Sequence, residues 1–424
     1  MRFNDLQAWL RWQEQLHPNA IDMGLERVER VLDAMGLRKP AYRVLTVGGT
    51  NGKGSCVAYL EAMLRAAGYR VGAYTSPHLL RYNERVRVDG VEASDQELCE
   101  AFARVDTARG GISLTYFEFG TLAALDIFAG RGVQAAVLEV GMGGRLDAVN
   151  AVDADASLVT SIGLDHQEWL GPDRESIGFE KAGIYRAARP ALCGDRTPPQ
   201  SLLRHAASIG TRLQVLGRDF DWQASGDIWN WRGVGAELRS LPAPTLPGRI
   251  QYDNAASALA TLQAVTQQLP VPEEAVRRGL MEARLPARFQ RFTGPVECVL
   301  DVAHNPDAAR VLADNLRAYP VAGRSFGVVG MFRDKAAEEV AQAIAPCLDR
   351  WFVGSLEGPR GQSSAALAAR IHTVIPQAMT EEYPSIADAH TAALAAAQFG
   401  DRVVVFGSFQ TVSAILTLYS RRAA

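Results

Sequence analysis

The chain has 424 residues, of which 48% are hydrophobic and 21% charged, and its formal net charge is -3. That length implies two or three domains, and proportions this ordinary exclude disorder as the default state. Near-neutral charge with both signs interspersed gives no reason to expect binding to nucleic acid or to an anionic membrane.

The first twenty residues, "MRFNDLQAWLRWQEQLHPNA", carry charges throughout, so neither a signal peptide nor a membrane span is expected there. Five widely spaced cysteines without any C-x-x-C pair argue against a disulfide framework and a zinc site, and a reducing cytoplasm fits them. "YRVLTVGG" (42–49) reads as a first strand, followed by a glycine-rich loop. Val57, Leu60, Leu64 and Ala67 then fall at helical spacing, with Gly68 placed to stop that helix. "RVGAYTS", "QAAVLEVG" (134–141), "ASLVTSIG" (156–163) and "PALCG" (190–194) read as further strands. Alternation of this kind is the pattern of parallel strands joined by helices. Between Thr211 and Ser240 the helical rhythm fades, and a small antiparallel region is expected around Trp222, Trp229 and Trp231. A helix follows in "QYDNAASALATLQAV". "RLPARFQRFTG" (284–294) then breaks the pattern, and a domain boundary is placed there, giving domains 1–286 and 287–424. Beyond it the alternation restarts in "ECVLDVAHN", "SFGVVGMF", "WFVGS" and "DRVVVFGSF".

The loop "GTNGKGS" fails the general phosphate-loop pattern, because Gly54 stands between Lys53 and Ser55. Its position between a strand and a helix N-terminus nevertheless suits phosphate oxygens, with Lys53 as a cation and Ser55 able to reach magnesium. The bland alternative is a glycine turn with a solvated lysine. Glu139 ends an apolar strand, at the edge where open α/β sheets bind ligands, and reads either as a cap or as a metal ligand. Gly141, Gly143 and Gly144 beside it suggest close backbone approach, with Arg145 and Asp147 as cation and acceptor. His166 follows another strand at the same edge. With Ser55 and Glu139 it would complete a magnesium site. Lys181 lies on an apparent helix, where residue-level reasoning makes it a solvated side chain. In the second domain Asp301, His304 and Asn305 stand at a strand end before a helix, suited to a ribose or adenine but also to capping.

Several motifs together resemble the Mur-type ATP-dependent ligases, and within them the folate-ligase branch: "HPNAIDMGLERV", "GTNGKGS", "TSPHL", "RYNERVRVDG", "FEFGT", "LEVGMGGRLDAVN", "SIGLDHQEWLG", "EKAGI", "LDVAHNP" and "GSFQT". The resemblance spans nearly the whole chain. It implies an α/β fold: an N-terminal P-loop-type ATPase domain with a mostly parallel sheet, and a smaller Rossmann-like C-terminal domain. ATP phosphates would rest on Gly49, Thr50, Asn51, Gly52, Lys53, Gly54 and Ser55. Ser55, Glu139 and His166 would hold magnesium, and Lys181 resembles the family's carbamylated lysine, a ligand for a second magnesium ion. A monovalent cation is a further expected ion. Asn254, Arg288, Asp301 and His304 resemble nucleotide contacts. Ile21, Asp22, Thr115, Phe117, Arg145 and Asp147 resemble pterin and folate contacts.

By resemblance the reaction is ATP-dependent addition of L-glutamate, with Lys53, Lys181 and His166 as the catalytic set. The acceptors implied are 7,8-dihydropteroate and the γ-carboxylate of tetrahydrofolates, and a monomer is expected. Activity on tetrahydrofolate alone, a UDP-muramyl cell-wall ligase and an ATP-binding protein that makes no bond are the alternatives. One departure stands out. Where the family usually shows "LPGRFQ", this chain has Ala287 in place of the glycine, which restricts backbone angles at the expected hinge.

Overall fold

A computed structural model describes residues 2–420. They divide into two compact units: residues up to Thr245 together with Tyr252–Arg284, and Leu246–Gln251 together with residues from Leu285 onward.

The first unit is built on an eight-stranded sheet of β1 (Arg43–Gly48), β2 (Val71–Tyr74), β3 (Val86–Val88), β4 (Val91–Glu92), β5 (Ala135–Glu139), β6 (Ala156–Val159), β7 (Pro190–Cys193) and β8 (Arg212–Val215). Its order is β4-β3-β2-β5-β1-β6-β7-β8. β2, β5, β1, β6, β7 and β8 run parallel, and β3 and β4 are antiparallel additions at one edge. β1, β2, β5 and β6, at the centre of the sheet, bury every or nearly every residue, which is why they appear in the sequence as apolar runs, whereas the parallel edge strand β8 buries only Val215. The region expected to be antiparallel from Thr211 is corrected at its start: Arg212–Val215 pairs in parallel with β7 as the sheet's last strand. Only β9 (Asp221–Ser225), β10 (Ile228–Gly233) and β11 (Ala236–Pro242) form the antiparallel ribbon, where Trp229 and Trp231 are buried.

Two helices over this sheet start at readable signals. Ser94 and Glu97 form a capping box for Asp95–Arg109, and Thr115 and Glu118 do the same for Tyr116–Gly130. The helix Leu6–Leu16 inserts Trp9, fully buried, among Phe3, Phe102 and Phe119.

The second unit carries β12 (Gln290–Phe292), β13 (Glu297–Leu300), β14 (Ser325–Val329), β15 (Arg350–Gly354), β16 (Thr380–Tyr383) and β17 (Arg402–Phe406), in the order β12-β13-β17-β14-β15-β16. All pairs are parallel except β12–β13. Leu246–Gln251 joins this unit because Gly248, with φ +104, lies so close to Asn315 that an added Cβ would come within 2.3 Å of its Oδ1. No helix among the described residues is long and apolar enough to cross a membrane.

Gln13, on the inner face of Leu6–Leu16, is 1% exposed, and neither its Oε1 nor its Nε2 has a hydrogen-bond partner among the described residues. A buried amide left unsatisfied costs about 1–3 kcal/mol. Gln13→Met, which keeps the volume, is therefore expected to raise the unfolding free energy by about 1–2 kcal/mol. Urea denaturation measures this, and a lower midpoint for the variant would refute it.

Candidate active site

β1 lies between β5 and β6, with Val47 beside Glu139 and Gly48 beside Val159. Three strand ends thus deliver the loop 49–52, Glu139 and Thr160 to one edge. The loop is held from the β6 side. Thr50 N–H donates to the Ser161 carbonyl at 2.7 Å, while the Thr160 and Ser161 hydroxyls donate to the Asn51 carbonyl at 2.7 and 3.1 Å. Gly49 has φ +136, and an added Cβ would fall 1.8 Å from Thr160 Oγ1; only glycine fits. Gly52, with φ +89, caps the helix Lys53–Ala66, and its Cβ would lie 2.5 Å from Asn254 Oδ1. Asn254 thus closes on the loop from the helix Ile250–Ala264, and Cys56 Sγ reaches its carbonyl at 3.5 Å. Ser55 is buried in the first helical turn, where N–H groups and the helix dipole favour an anion.

Two lysines meet at one oxygen. Lys53 Nζ donates to the carbonyls of Gly49 and Thr50, both at 3.1 Å, and Lys181 Nζ donates to the Gly49 carbonyl at 2.9 Å. The solvated position that residue-level reasoning assigned to Lys181 is corrected: on the helix Arg174–Ala182 it is only 4% exposed. Burial and the Lys53 charge lower its pKa to about 7, against the opposing pull of Asp165 and Asp147. Burial likewise lifts Asp147 to about 7, although N–H groups of Met142 and Val149 donate to its carboxylate at 2.9 and 3.1 Å. Both groups are therefore poised near neutrality.

Glu139 is buried at the end of β5 and accepts the Ser76 N–H at 3.2 Å. His166 has φ +53 and opens the short turn Gln167–Leu170, with its Nε2 3.9 Å from Asp165. Ser76 and Asp165 were not foreseen; "TSPHL" and "GLDH" flagged their segments without assigning either a role. Among the described residues no three His, Cys, Asp or Glu side chains gather into a ready metal cage. The Glu139 carboxylate and the Ser55 hydroxyl are oxygen donors of the kind magnesium takes, its remaining ligands coming from substrate phosphates and water, whereas an imidazole such as that of His166 is a less usual magnesium ligand.

The expected folate contacts divide in two. Phe117 lies in the first turn of Tyr116–Gly130 with its ring against Gly141, where an added Cβ would come within 2.6 Å of Cζ. Asp22 and Thr115 have local bonds: Arg27 pairs with Asp22 and Glu118, each at 2.9 Å, and Glu118 closes the cap with Thr115. Arg27 lies in the segment "AIDMGLERV", whose resemblance is to folate contacts, but was not singled out in it, though the T-x-x-E spacing of Thr115 and Glu118 was readable as a helix start. Arg145 pairs with Glu180 at 2.9 Å, and Ile21 is exposed.

In the second unit Asp301 accepts N–H groups from Phe289 and Ala303, both at 2.8 Å. Its pKa is raised by burial, against the charges of Arg288 and His304. His304 Nδ1 lies 2.8 Å from the Val302 carbonyl, and Arg288 lies 5.3 Å over the Phe409 ring. These three expected nucleotide contacts therefore cluster at the C-terminal ends of β13 and β17.

Residues 287–409 match the model of the Mur ligase glutamate ligase domain. With the loop-bearing parallel sheet of the first unit, this defines the class: a Mur-type ATP-dependent ligase. The chain is 44% identical to the dihydrofolate synthase/folylpolyglutamate synthase of Escherichia coli (strain K12), over 98% of this chain and 96% of that protein. The structure of E. coli FolC in complex with DHPP and ADP superposes with a TM-score of 0.94 at 44% identity, covering 99% of both chains. A bifunctional folylpolyglutamate synthase/dihydrofolate synthase with Mn, AMPPNP and L-glutamate bound superposes with a TM-score of 0.90 at 44% identity, covering 98% of both. The chain belongs to the dihydrofolate synthase/folylpolyglutamate synthase family.

Lys181 gives the site a pH signature. Between about pH 7 and the ordinary lysine value near 10.5, the unfolded state holds a proton that the folded state releases, so this residue's contribution to stability falls as pH drops through that window. Below about 7 both states are protonated and its contribution is level. Lys181→Met is expected to gain stability relative to the wild type between pH 9.5 and 7 and to gain no more below 7. Urea midpoints across that range check it; a pH-independent difference would contradict the burial argument.

Proposed function

We propose that the chain joins L-glutamate to two acceptors, 7,8-dihydropteroate and the γ-carboxylate of tetrahydrofolates, through an acyl phosphate made with ATP. The observation that carries this reading is the Gly49–Gly54 loop with Lys53 and Lys181 on one carbonyl, at the strand edge that also bears Glu139. A carboxylate is a poor electrophile, so it needs activation before an amine can displace one of its oxygens. The loop N–H groups and Lys53 hold the triphosphate while the acceptor carboxylate attacks its γ-phosphorus in line and ADP departs. The neutral α-amine of glutamate then attacks the acyl carbon, and inorganic phosphate leaves.

Ser55, Glu139 and His166 would hold magnesium, which when bound neutralises the phosphate oxygens in attack. Asn254, Arg288, Asp301 and His304 are assigned to the nucleoside. Phe117, Asp147, Arg145, Thr115, Ile21 and Asp22 are assigned to the pteroyl side, Phe117 offering a flat ring beside Gly141. A second magnesium ion, a monovalent cation, a monomeric state and a cytoplasmic location belong to the same reading.

Lys181 is assigned as a carbamylated ligand of the second magnesium ion. A pKa near 7 leaves much of its amine neutral at physiological pH, as attack on CO₂ requires: the nitrogen bonds to carbon, one proton leaves to solvent, and a carbamate anion replaces the ammonium. Protein equilibrated with ¹³C-bicarbonate is expected to show a carbamate carbon resonance that Lys181→Arg lacks. A resonance unchanged in the variant would place the group elsewhere.

The reaction is tested by phosphate release on dihydropteroate and on tetrahydrofolate, each with and without glutamate. The wild type is expected to need glutamate for product with both, and Lys53→Ala to lose about 10²–10³-fold in kcat. Full activity in Lys53→Ala at saturating substrates would end the proposal. Turnover with tetrahydrofolate but not dihydropteroate would reduce it to the polyglutamylating half.

A further inference from the structure

Trp169 is the exception among the seven tryptophans of the chain. The other six are buried or pack against other rings. Trp169 is 48% exposed and, among the described residues, has neither a ring contact nor a hydrogen bond for its indole N–H. It is presented by the one-turn helix Gln167–Leu170, which has left-handed backbone at both ends: His166 with φ +53 before it and Gly171 with φ +101 after it. The backbone N–H of Trp169 donates to the His166 carbonyl at 2.9 Å, so the indole is carried in the same turn as the imidazole assigned to magnesium. The next residue, Leu170, packs at Gly143 together with Met23, so this turn and the 21–23 segment converge on the loop that carries Arg145 and Asp147. Leu164 and Ile21, 44% and 38% exposed, add further apolar surface on the same two segments.

We infer that Trp169 is a specificity-determining residue whose indole stacks on the aminobenzoyl ring of dihydropteroate. This rests on the reaction proposed above. In dihydropteroate the reacting carboxylate is bonded directly to that ring, so a carboxylate held beside His166 places the ring within one helical turn of it. In a tetrahydrofolate the reacting γ-carboxylate sits at the end of a glutamyl arm, and the ring lies several bonds further away. The aromatic contact therefore serves the first acceptor far more than the second.

Steady-state kinetics of Trp169→Ala and Trp169→Phe with both acceptors test this. The alanine variant is expected to raise KM for dihydropteroate about tenfold, the size of one aromatic contact. KM for tetrahydrofolate should change less than about threefold, KM for ATP should hold, and the phenylalanine variant should recover most of the loss. Equal rises for the two acceptors, or no rise for dihydropteroate, would overturn the contact while leaving the reaction standing. A wild type inactive on both acceptors would overturn the reaction and this inference with it. A lesion that merely loosened the turn would raise both KM values together and would not be rescued selectively by phenylalanine.

Discussion

The site depends on how the carbonyl oxygens of the glycine loop are occupied. Those of Gly49, Thr50, Asn51 and Gly52 all accept hydrogen bonds from the protein itself: from Lys53 and Lys181, from the Thr160 and Ser161 hydroxyls, and from the Cys56 N–H. With four successive acceptors turned inward, the polarity left for a ligand is that of N–H groups and a helix N-terminus, which is the polarity a phosphate requires. The loop is fixed before any ligand arrives, so little ordering entropy opposes binding. Two ammonium groups on the Gly49 oxygen are a standing repulsion. It is relieved at Lys181, the more deeply buried of the two, whose pKa burial and the Lys53 charge lower to about 7.

This arrangement explains why some of the site was legible and some was not. Phosphate-loop chemistry is local: a strand, glycines, Lys53, Ser55 and the first turn of a helix all lie between Arg43 and Cys56, so spacing alone exposes it. The burial of Lys181 is set by Gly49, 132 residues away, and nothing in "GFEKAGIY" reports what stands opposite. Asp22 and Thr115 carry a different lesson. Their side chains suit a substrate, yet in this fold each already has a bond to Arg27 or Glu118, and any contact with a folate must share it. The same division holds for the strands. β1, β5, β6, β14 and β17 are apolar runs because both faces are covered. β16, "TEEY", is a polar edge strand, and β12 lies inside the boundary segment, so neither carries the pattern that marks a buried strand.

The boundary segment brings fold and site together. Ala287 is fully buried with φ +58 and Phe289 has φ +45, so Arg288 stands between two left-handed residues that are not glycine. Such backbone costs an L-residue about 1–2 kcal/mol and persists only where its surroundings over-determine it. The determinants are visible. Gln290 Oε1 accepts the Ala287 N–H at 2.9 Å, the Ala287 carbonyl accepts Val302 N–H at 3.2 Å, and Asp301 accepts the Phe289 N–H at 2.8 Å. A carboxylate assigned to the nucleoside thus also clamps the residues next to the assigned arginine. A glycine at 287 would remove the strain but give the unfolded chain more freedom, and the two effects offset to within about 1 kcal/mol. The alanine therefore matters less for stability than for choice of conformation: it leaves the segment fewer backbone angles to adopt, and so ties the orientation of Arg288 more closely to the bonds made by Asp301.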